Sequence, residues 1–486
     1  MNVLFIYSLQ LYQSPIKPLR DYTRIHFGIA HLFSFLKSQD YQPELLILTR
    51  ATKNQLIDQY ITKIQPNLIC FTAVTTEYYF ISKIASYIKT KYPSIYLLIG
   101  GVHASLNPEK VIRDAFDVVC IGEGEYPLLE LVEQLKHGKK PHKIQNLWIK
   151  KENMIEKNPT REFVQNLDSL PFPDREIWRK WIHYLDSDKQ TILLGRGCPF
   201  QCTNCCNHAL RKLALGKYVR IRSIGNILKE LKEILLKFPK TKEIYFEVET
   251  IGVDLKFAIN LCTKLEQFNA QRRKPLSFGV NLRIVPNKDF RGLFRALKRA
   301  NFSFINIGLE SGSERIRKNI LRRYYSNEDF LSLVQLAKKH GLMVKVYNMI
   351  GLPGETLADF NQTITCNQLC LPDALHLNIF FPYPGTDLFK ISKEMGRLPS
   401  KIDARLERTT PNLGGKGFTK KQIRKEYQWF NYNVYKGHKP FYILLGTVLQ
   451  YKIYSQPVLY RIYTNLDNHL FFKQVKSILT SSLKFR

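Results

Sequence analysis

The sequence lacks the features that would place the chain in a membrane or mark it for export. No stretch approaches the roughly 18 consecutive apolar residues that a membrane-spanning helix needs. The first residues show neither the basic segment nor the cleavage site of a signal peptide, so we expect them to form a strand. Low-complexity segments and solenoid-like repeats are also missing. We therefore expect a cytoplasmic globular protein of two or three domains, with at most a peripheral membrane contact.

Cysteine is scarce and unevenly distributed along the chain. Of nine cysteines, four lie between positions 198 and 206. An odd number with one tight cluster and no export signal indicates a reducing compartment. The same pattern favours a metal site over a disulfide framework.

Acidic residues are also in short supply. The chain has 41 Asp and Glu against 73 Lys and Arg, which gives a net charge of +32. Such an excess indicates an anionic partner, which is nucleic acid, a membrane surface or an acidic substrate. The alternative is that the excess reflects the general composition of the host's proteins.

Residues 1–139 alternate short apolar strands with helical patterns, and the strands are predicted at 3–7, 44–48, 68–74, 95–101 and 118–122. Near-continuous apolar strands separated by helices predict a doubly wound, flavodoxin-like parallel sheet. Ligands bind such a sheet at the carboxyl ends of its strands. Those ends carry Gly100 and Gly101, and Gly122, Glu123 and Gly124. Residues 140–190, rich in Pro, Lys and Trp, are interpreted as a linker with a few strands of its own.

A second alternation extends over residues 191–390 and contains six strands, predicted at 191–197, 243–249, 276–283, 304–310, 343–351 and 375–381. Amphipathic helices lie between them, with Ser223 and Ser326 as predicted N-caps. Six β/α units are too few to close an eight-stranded barrel, so we predict an open, partial (β/α)6 barrel. The reactive site of such a barrel lies at the carboxyl ends of its strands. The cysteine cluster directly follows the first of these strands.

The cysteine cluster contains the spacing CxxxCxxC at Cys198, Cys202 and Cys205. Thiolates are the usual ligands of iron–sulfur clusters, and four irons normally take four of them. Three cysteines therefore leave one iron open for a substrate. A structural zinc site is the alternative, with His208 available as a fourth ligand. The neighbouring Cys206 is interpreted as a buried thiol.

With this loop at the end of the first strand, residues 191 to about 381 resemble the radical SAM superfamily. The resemblance implies a 4Fe–4S cluster on the three cysteines, whose open iron chelates the amino and carboxylate groups of S-adenosylmethionine (SAM). It also implies an electron donor such as flavodoxin or ferredoxin, and reductive cleavage of SAM to methionine and a 5′-deoxyadenosyl radical. Phe200 matches the apolar position before the middle cysteine of the family's loop.

The resemblance also implies SAM-binding residues at the ends of later strands: Gly308, Glu310 and Ser311 after the fourth, Arg283 after the third and Gly351 after the fifth. A carboxylate suits ribose hydroxyls or an ammonium group, and a guanidinium suits the methionine carboxylate. A helix N-cap at Ser311 or Ser313 and a surface salt bridge of Arg283 are the alternatives. After the second strand the family often has an acidic FxDD-like stretch. Here Glu247 and Glu249 stand in its place.

The N-terminal half resembles the cobalamin-binding domain that precedes many radical SAM barrels. The resemblance implies that Gly100, Gly101, Gly122, Glu123 and Gly124 approach the corrin and its nucleotide tail. The motif DxHxxG is absent, so no histidine ligand to cobalt is predicted. A degenerate domain that serves only as a lid is the alternative. The segment PYPGT at 382–386 resembles a common ending of the sixth strand in the cobalamin-linked branch.

These resemblances together imply a cobalamin-dependent methyltransferase that acts on an unactivated carbon of a small-molecule or lipid-like substrate. One SAM would supply the radical that abstracts hydrogen, and another would supply the methyl group through cobalamin. A cobalamin-linked radical cyclase or oxidase is the alternative enzyme. A basic RNA-binding protein with a structural metal site is the alternative of another class.

The C-terminal region, residues 391–486, is basic and aromatic, and we expect it to be mainly helical. Its last 86 residues hold 16 Lys and Arg against 4 Asp and Glu. Basic side chains mixed with aromatic ones predict a helix in the headgroup region of an anionic membrane. Binding of nucleic-acid phosphates is a less favoured alternative. Packing of the region on the barrel, with its charges solvated, is another.

Overall fold

The structure, a computed structural model, describes residues 1–9, 25–49, 52–182, 188–399, 402, 407–408, 410–415, 417–456 and 459. The chain forms two compact units. Unit 1 comprises Met1–Glu249, Lys274–Ser277 and Tyr383–Asp387. Unit 2 comprises Thr250–Arg273, Phe278–Pro382 and the described residues from Leu388 onward.

Unit 1 contains two short 3-10 helices, Leu167–Ser169 and Glu176–Trp178, besides its strands and α-helices. The strands are β1 (Val3–Leu9), β2 (Glu44–Thr49), β3 (Leu68–Thr72), β4 (Tyr96–Gly100), β5 (Val118–Cys120), β6 (Leu147–Lys150), β7 (Ile155–Lys157), β8 (Lys189–Leu193), β9 (Gly195–Arg196), β10 (Arg220–Ile221) and β11 (Glu243–Glu247). The helices are α1 (Phe27–Lys37), α2 (Asn54–Ile64), α3 (Thr75–Lys91), α4 (Val102–Leu106), α5 (Pro108–Val111), α6 (Glu125–Lys136), α7 (Asn207–Leu210) and α8 (Ile224–Lys237).

The first sheet of unit 1 has the order β2-β1-β3-β4-β5-β6-β7. Strands β1 to β5 are parallel and follow the flavodoxin-like order, as predicted. Their side chains are buried almost throughout, because helices cover both faces of a doubly wound sheet. Strands β6 and β7 fall in the segment that the sequence presents as a linker, yet they pair antiparallel with β5 and extend this sheet.

The remaining strands of unit 1 surround the cysteine loop. Strands β8 and β11 pair in parallel, while β9 and β10 form a short antiparallel ribbon. Strand β9 directly precedes the cysteine loop, and β10 follows it after helix α7. Ser223 caps helix α8 by accepting a hydrogen bond from the backbone N–H of Asn226, as predicted.

Unit 2 holds four parallel strands in the order β12-β13-β14-β15, with Ser326 capping one of the intervening helices as predicted. The strands are β12 (Ser277–Leu282), β13 (Phe302–Glu310), β14 (Met343–Ile350) and β15 (Ala374–Ile379). The helices are α9 (Leu255–Ala270), α10 (Arg291–Arg299), α11 (Glu314–Asn319), α12 (Asn327–Lys339), α13 (Leu357–Cys370), α14 (Asp387–Glu394), α15 (Lys420–Tyr435) and α16 (Phe441–Tyr454). With β8 and β11, these strands are the six that the second alternation predicts.

The C-terminal helix α15 packs within unit 2 against α13 and β15. Gln368 on α13 donates to the backbone carbonyl of Asn433 at 2.8 Å, and the Tyr435 hydroxyl donates to the carbonyl of Pro372 at 2.6 Å. Tyr427 and Phe430 are buried. Three of the five aromatic side chains of α15, Tyr427, Phe430 and Tyr435, are thus buried, which supports the alternative in which this region packs on the barrel.

Helix α16 packs on α15 with one face and exposes the other. Gln428 on α15 donates to Ser455 Oγ at 2.8 Å, just past the end of α16. Leu444 and Val448 are buried, whereas Tyr442 is 73% exposed and Leu449 is 59% exposed. Among the described residues, no helix combines the length and apolar character needed to cross a bilayer. Residues 457–458 and 460–486, which the tail prediction includes, lie outside the described residues.

Candidate functional site

The cysteine loop leaves strand β9 and ends at helix α7 in unit 1. Cys198 and Cys202 are buried, while Cys205 and Cys206 are partly buried. The backbone N–H of Cys205 donates to the carbonyl of Cys202 at 3.2 Å, which closes a turn between the second and third predicted ligands. None of the nine cysteines, all of which lie in the described ranges, forms a disulfide.

The surroundings of the thiols give Cys205 and Cys206 opposite proton affinities. A hydrogen bond with the Cys206 thiol, together with hydrogen bonds from Asn207, lowers the pKa of Cys205. Asn207 donates to Cys205 Sγ from its backbone N at 3.5 Å and from Nδ2 at 3.6 Å. The interaction with Cys205 raises the pKa of Cys206. Because metals bind thiolates, the two hydrogen bonds from Asn207 favour Cys205 over Cys206 as the ligand.

The donor set of the loop suits an iron–sulfur cluster better than zinc. No group of three or more His, Cys, Asp or Glu side chains in the described ranges has the geometry to hold a single metal ion. A zinc site needs four ligands converging on one ion, whereas the ligands of a four-iron cluster each bind a different iron. In the zinc alternative, His208 is the fourth ligand. Its Nε2 lies 3.0 Å from Asp387 Oδ2.

The turn at Gly100 and Gly101 lies close to the cysteine loop, since α4, which follows it, contacts α7. Gly101 has φ +89°, and a Cβ there would lie 2.5 Å from Thr72 Oγ1, so this tight turn requires glycine. A Cβ on Gly385, in PYPGT, would lie 2.7 Å from Cβ of Leu106 on α4. Within unit 1, three features therefore lie close together, namely the first glycine turn, helix α7 and the PYPGT segment.

The 122–125 loop is held by charged side chains that the motif analysis did not single out. Glu123 was predicted to bind a cofactor, but its carboxylate accepts hydrogen bonds from Arg196, Arg220 and the backbone N–H of Val164. Glu125 pairs with Arg196 at 2.6 Å. The Gly122 N–H donates to Ser105 Oγ at 3.0 Å, while Gly124 precedes helix α6.

In unit 2, the Arg323 guanidinium links two of the predicted residues at the end of β13, Gly308 and Glu310. Arg323 donates from Nη2 to Glu310 Oε1 at 2.9 Å and from Nη1 to the carbonyl of Gly308 at 3.0 Å. Glu310 has φ +64°, a strained conformation for a residue with a side chain. Ser311 is buried and accepts from the N–H of Ser313 at 3.2 Å. Ser313 caps helix α11, so the alternative of a helix N-cap holds for Ser313.

The loop after β14 contains Glu355, which the sequence did not single out. Glu355 Oε2 accepts from the N–H of Gly351 at 2.6 Å and of Leu352 at 3.1 Å. Oε1 is buried and has no hydrogen-bond partner among the described residues. Burial raises the pKa of Glu355 to about 8. This residue holds Gly351 in place, and the only sequence signal for it was the acid that ends GLPGE.

Arg283 and the acidic residues after β11 occupy more exposed positions. Arg283 is partly buried after β12, and its backbone N–H donates to Thr250 Oγ1 at 2.9 Å. Glu247 and Glu249 are exposed. Burial raises the pKa of Cys198 to about 11, and a hydrogen bond from the Phe200 backbone opposes this rise. The negative charge of Glu249 makes the next contribution and raises this pKa further. Glu249 therefore lies near the cysteine loop in unit 1.

Comparison with known proteins identifies two domains of the chain. Residues 22–132 match the model of the B12-binding domain, and residues 192–366 match that of the radical SAM superfamily. This chain contains a B12-binding domain followed by a radical SAM domain. The predicted fold class and the predicted cofactor set of 4Fe–4S cluster, SAM and cobalamin are thereby confirmed for this radical SAM protein.

Curated relatives of this radical SAM protein carry more than one name. It is 26% identical to an uncharacterized methyltransferase of Pyrococcus horikoshii over 423 residues, which cover 85% of this chain and 88% of that protein. It is 23% identical to the anaerobic magnesium-protoporphyrin IX monomethyl ester cyclase of Rubrivivax gelatinosus over 374 residues, 74% of this chain and 65% of the cyclase.

Two solved structures share its fold. The radical SAM methyltransferase TsrM from Kitasatospora setae, with cobalamin and a 4Fe–4S cluster bound, superposes with a TM-score of 0.64 at 16% identity and covers 81% of this chain and 75% of TsrM. The cobalamin-dependent radical enzyme OxsB, with aqua-cobalamin and SAM bound, gives 0.67 at 15% identity over 96% and 75% of the two chains.

Proposed function

We propose that this radical SAM enzyme is a cobalamin-dependent methyltransferase acting on an unactivated carbon. The observation that carries the proposal is the contact between α4, after the first glycine turn of the B12-binding domain, and α7, directly after the cysteine loop. This contact joins the elements expected to hold the two metal cofactors. The relative named as a methyltransferase and the structural neighbour TsrM support the same reaction class.

In this proposal Cys198, Cys202 and Cys205 are the cluster ligands. When bound, the cluster supplies the electron that cleaves SAM, delivered by a donor such as flavodoxin or ferredoxin. Asn207 stabilises the Cys205 thiolate by two hydrogen bonds. The burial of Cys198 and Cys202 keeps water away from their sulfur atoms.

Unit 2 provides the proposed SAM contacts Gly308, Glu310, Ser311, Arg283 and Gly351. Arg323 holds the Glu310 carboxylate in one orientation, and Glu355 fixes the backbone at Gly351. Such preorganised groups lower the cost of ordering the site when the substrate binds.

The proposed cobalamin contacts are the backbone at Gly100, Gly101, Gly122, Glu123 and Gly124. When bound, cobalamin carries the methyl group. His103 is buried, with Nδ1 3.1 Å from Thr75 Oγ1 and its ring 4.2 Å from the ring of Tyr78. Its Nε2 is buried without a hydrogen-bond partner among the described residues, and the proposal, which follows from the missing DxHxxG motif, assigns it no bond to cobalt.

Cobalamin binding is tested on the full chain by gel filtration under anaerobic conditions. We expect about one cobalamin per chain with a base-off spectrum, and His103→Ala should leave that spectrum unchanged. Loss of cobalamin from the wild type during filtration would remove the cobalamin half of the proposal. A spectrum that changes in His103→Ala would assign the imidazole to cobalt.

Methyl transfer is tested with SAM that carries a deuterated methyl group. Reduced, reconstituted enzyme should form S-adenosylhomocysteine and transfer the label to bound cobalamin before any substrate is added. Formation of 5′-deoxyadenosine without S-adenosylhomocysteine would favour the cyclase or oxidase alternative. A colourless protein without the broad brown absorbance of an iron–sulfur cluster would favour the RNA-binding alternative.

We also propose that helix α16 brings the enzyme to an anionic membrane surface, where a lipid-like substrate is available. Its outer face is apolar, with Phe441, Tyr442 and Leu449 more than half exposed. The sequence has no acidic residue between Glu426 and Asp467. Each nearby lysine adds on the order of 1 kcal/mol of attraction to an anionic surface.

The membrane proposal is tested by flotation of the full enzyme with vesicles of phosphatidylcholine alone or mixed with phosphatidylglycerol. Binding should require the anionic lipid, weaken with salt and be lost in Leu449→Asp. Leu236→Asp is the matched control, because Leu236 is an exposed leucine on α8. Equal binding to both vesicles, or none at low salt, would exclude this surface. Retention on RNA instead of vesicles would favour nucleic acid.

A further inference from the structure

Two carboxylates after β5 meet two guanidiniums of the β9–β10 ribbon in unit 1. Arg196 donates from Nη1 to Glu123 Oε1 at 2.9 Å and from Nη2 to Glu125 Oε1 at 2.6 Å. Arg220 Nη1 lies 2.9 Å from Glu123 Oε1, 3.0 Å from its Oε2 and 2.9 Å from the carbonyl of Val164. The four side chains therefore form one connected network.

The network is shielded from water. Glu125 and Arg220 are buried, and the side chains of Glu123 and Arg196 are 17% and 22% exposed. Burial opposes ionisation of Glu125, but the charge of Arg196 outweighs it and holds the pKa of that carboxyl below its usual value. Two negative and two positive charges balance here, and removing one leaves an uncompensated buried charge.

The ribbon touches the cysteine loop at both ends. Arg196 is two residues before Cys198, and Gly197 between them has φ +85°, where a Cβ would lie 2.1 Å from the carbonyl oxygen of Tyr218. At the far end, the Tyr218 hydroxyl donates to Asn207 Oδ1 at 2.6 Å. Asn207 in turn donates to Cys205 Sγ. Movement of the ribbon would therefore shift the first and the third proposed cluster ligands.

We propose that Glu123 and Glu125 are positioning residues that hold the cysteine loop in a fixed place against the B12-binding domain. This role rests on the proposed cluster ligands and deepens the proposed function. The carboxylates act through Arg196 and Arg220 on the backbone that carries Cys198 and Cys205. The proposal thus gives Glu123 a task distinct from direct contact with cobalamin.

The test compares Glu123→Gln with Glu130→Gln in the full, reconstituted enzyme. Glu130 is the matched control, because it lies on α6 in the same domain and pairs with Arg161 at the surface. Glu123→Gln should keep its iron and cobalamin content but change the electron paramagnetic resonance spectrum of the reduced cluster. Its rate of 5′-deoxyadenosine formation should fall about tenfold, equivalent to about 1.4 kcal/mol. Glu130→Gln should match the wild type in all of these measurements.

Several results would overturn the proposal. A Glu123→Gln enzyme with wild-type cluster spectrum and rate removes the positioning role, and one that loses only cobalamin makes Glu123 a cobalamin contact. If Glu123→Gln does not fold, Glu123→Gln/Arg220→Gln removes both charges of the pair. A wild-type spectrum in that double variant also overturns the proposal, and an altered one supports it. Absence of a cluster in the wild type would contradict the proposed function instead.

Discussion

The cysteine loop of unit 1 and the strand ends of unit 2 are both candidate cofactor contacts, but the protein stabilises them differently. In unit 2 the important polar groups bond to each other, as Glu310 does with Arg323 and Glu355 with the backbone at Gly351. The cysteine loop carries four thiols within nine residues and is joined to the β9–β10 ribbon through Gly197 and Asn207. The comparison indicates that the strand ends are fixed by contacts between their own polar groups, whereas the loop is positioned, in our proposal, through the ribbon and its network with Glu123 and Glu125.

The largest expected effect concerns the loop. Replacing Cys198, Cys202 or Cys205 by Ala should abolish SAM cleavage, because each substitution removes one of three ligands. Cys206→Ala is the matched control and should retain most of the activity, because Cys206 lies outside the CxxxCxxC spacing. The measurement is 5′-deoxyadenosine formed by reduced, reconstituted variants. An inactive Cys206→Ala beside an active Cys205→Ala would reverse the ligand assignment.

A smaller effect is expected at the preorganised strand ends. Arg323→Met removes the cation that pairs with the strained Glu310 and one of the two side-chain donors to the carbonyl of Gly308, the other being the Tyr325 hydroxyl. We expect the dissociation constant of SAM to rise about tenfold, or about 1.4 kcal/mol. Equilibrium dialysis of the full enzyme measures it. Lys318→Met, at an exposed position of α11, is the control and should bind SAM normally.

Unchanged SAM affinity in Arg323→Met would contradict the idea that unit 2 prepares its binding groups in advance. An affinity that falls equally in both variants would point to a general charge effect. Only a loss of SAM affinity that is confined to Arg323→Met supports the contrast between the cysteine loop and the strand ends of unit 2.

The features that could be predicted from the sequence are those set by patterns within a short segment of the chain. The apolar strands, the N-caps at Ser223 and Ser326 and the cysteine spacing are each encoded within a short segment, and the structure contains the predicted strands and caps. The motif analysis missed the pairing of Glu123 with Arg220, because those residues are 97 positions apart. Pairs of this kind depend on the tertiary fold and leave no periodic signal.

The C-terminal region shows the same limit in another form. Basic residues interleaved with aromatic ones are compatible with a membrane-surface helix and with a helix packed on a barrel. In α15 the buried Tyr427 and Phe430 support packing, while α16 keeps an apolar face outward. The sequence could not assign these roles, because helical periodicity marks an apolar face without identifying what covers it.

The last expected effect concerns the stability of the folded enzyme, and it comes from Glu355 and depends on pH. Its pKa is raised from the ordinary value of 4.5 to about 8, mainly by burial. The folded enzyme therefore keeps a proton that the unfolded chain releases. The stabilisation is complete below about pH 4.5 and is lost as the pH rises through about 8, at about 1.4 kcal/mol per pH unit in between. This dependence of stability on pH distinguishes Glu355, in the loop at Gly351, from carboxylates on the surface.

Glu355→Gln tests this dependence, because glutamine keeps an oxygen acceptor for the N–H groups of Gly351 and Leu352 but carries no ionisable proton. The measurement is Tm of the full enzyme from pH 5 to 9. The variant should gain steadily on the wild type up to about pH 8, after which the difference should stay constant. Glu328→Gln, at an exposed position of α12, should follow the wild type at every pH. Parallel curves of Tm against pH for Glu355→Gln and the wild type would show that this loop is not held by a protonated carboxyl. The contrast with the cysteine loop would then rest on Glu310 and Arg323.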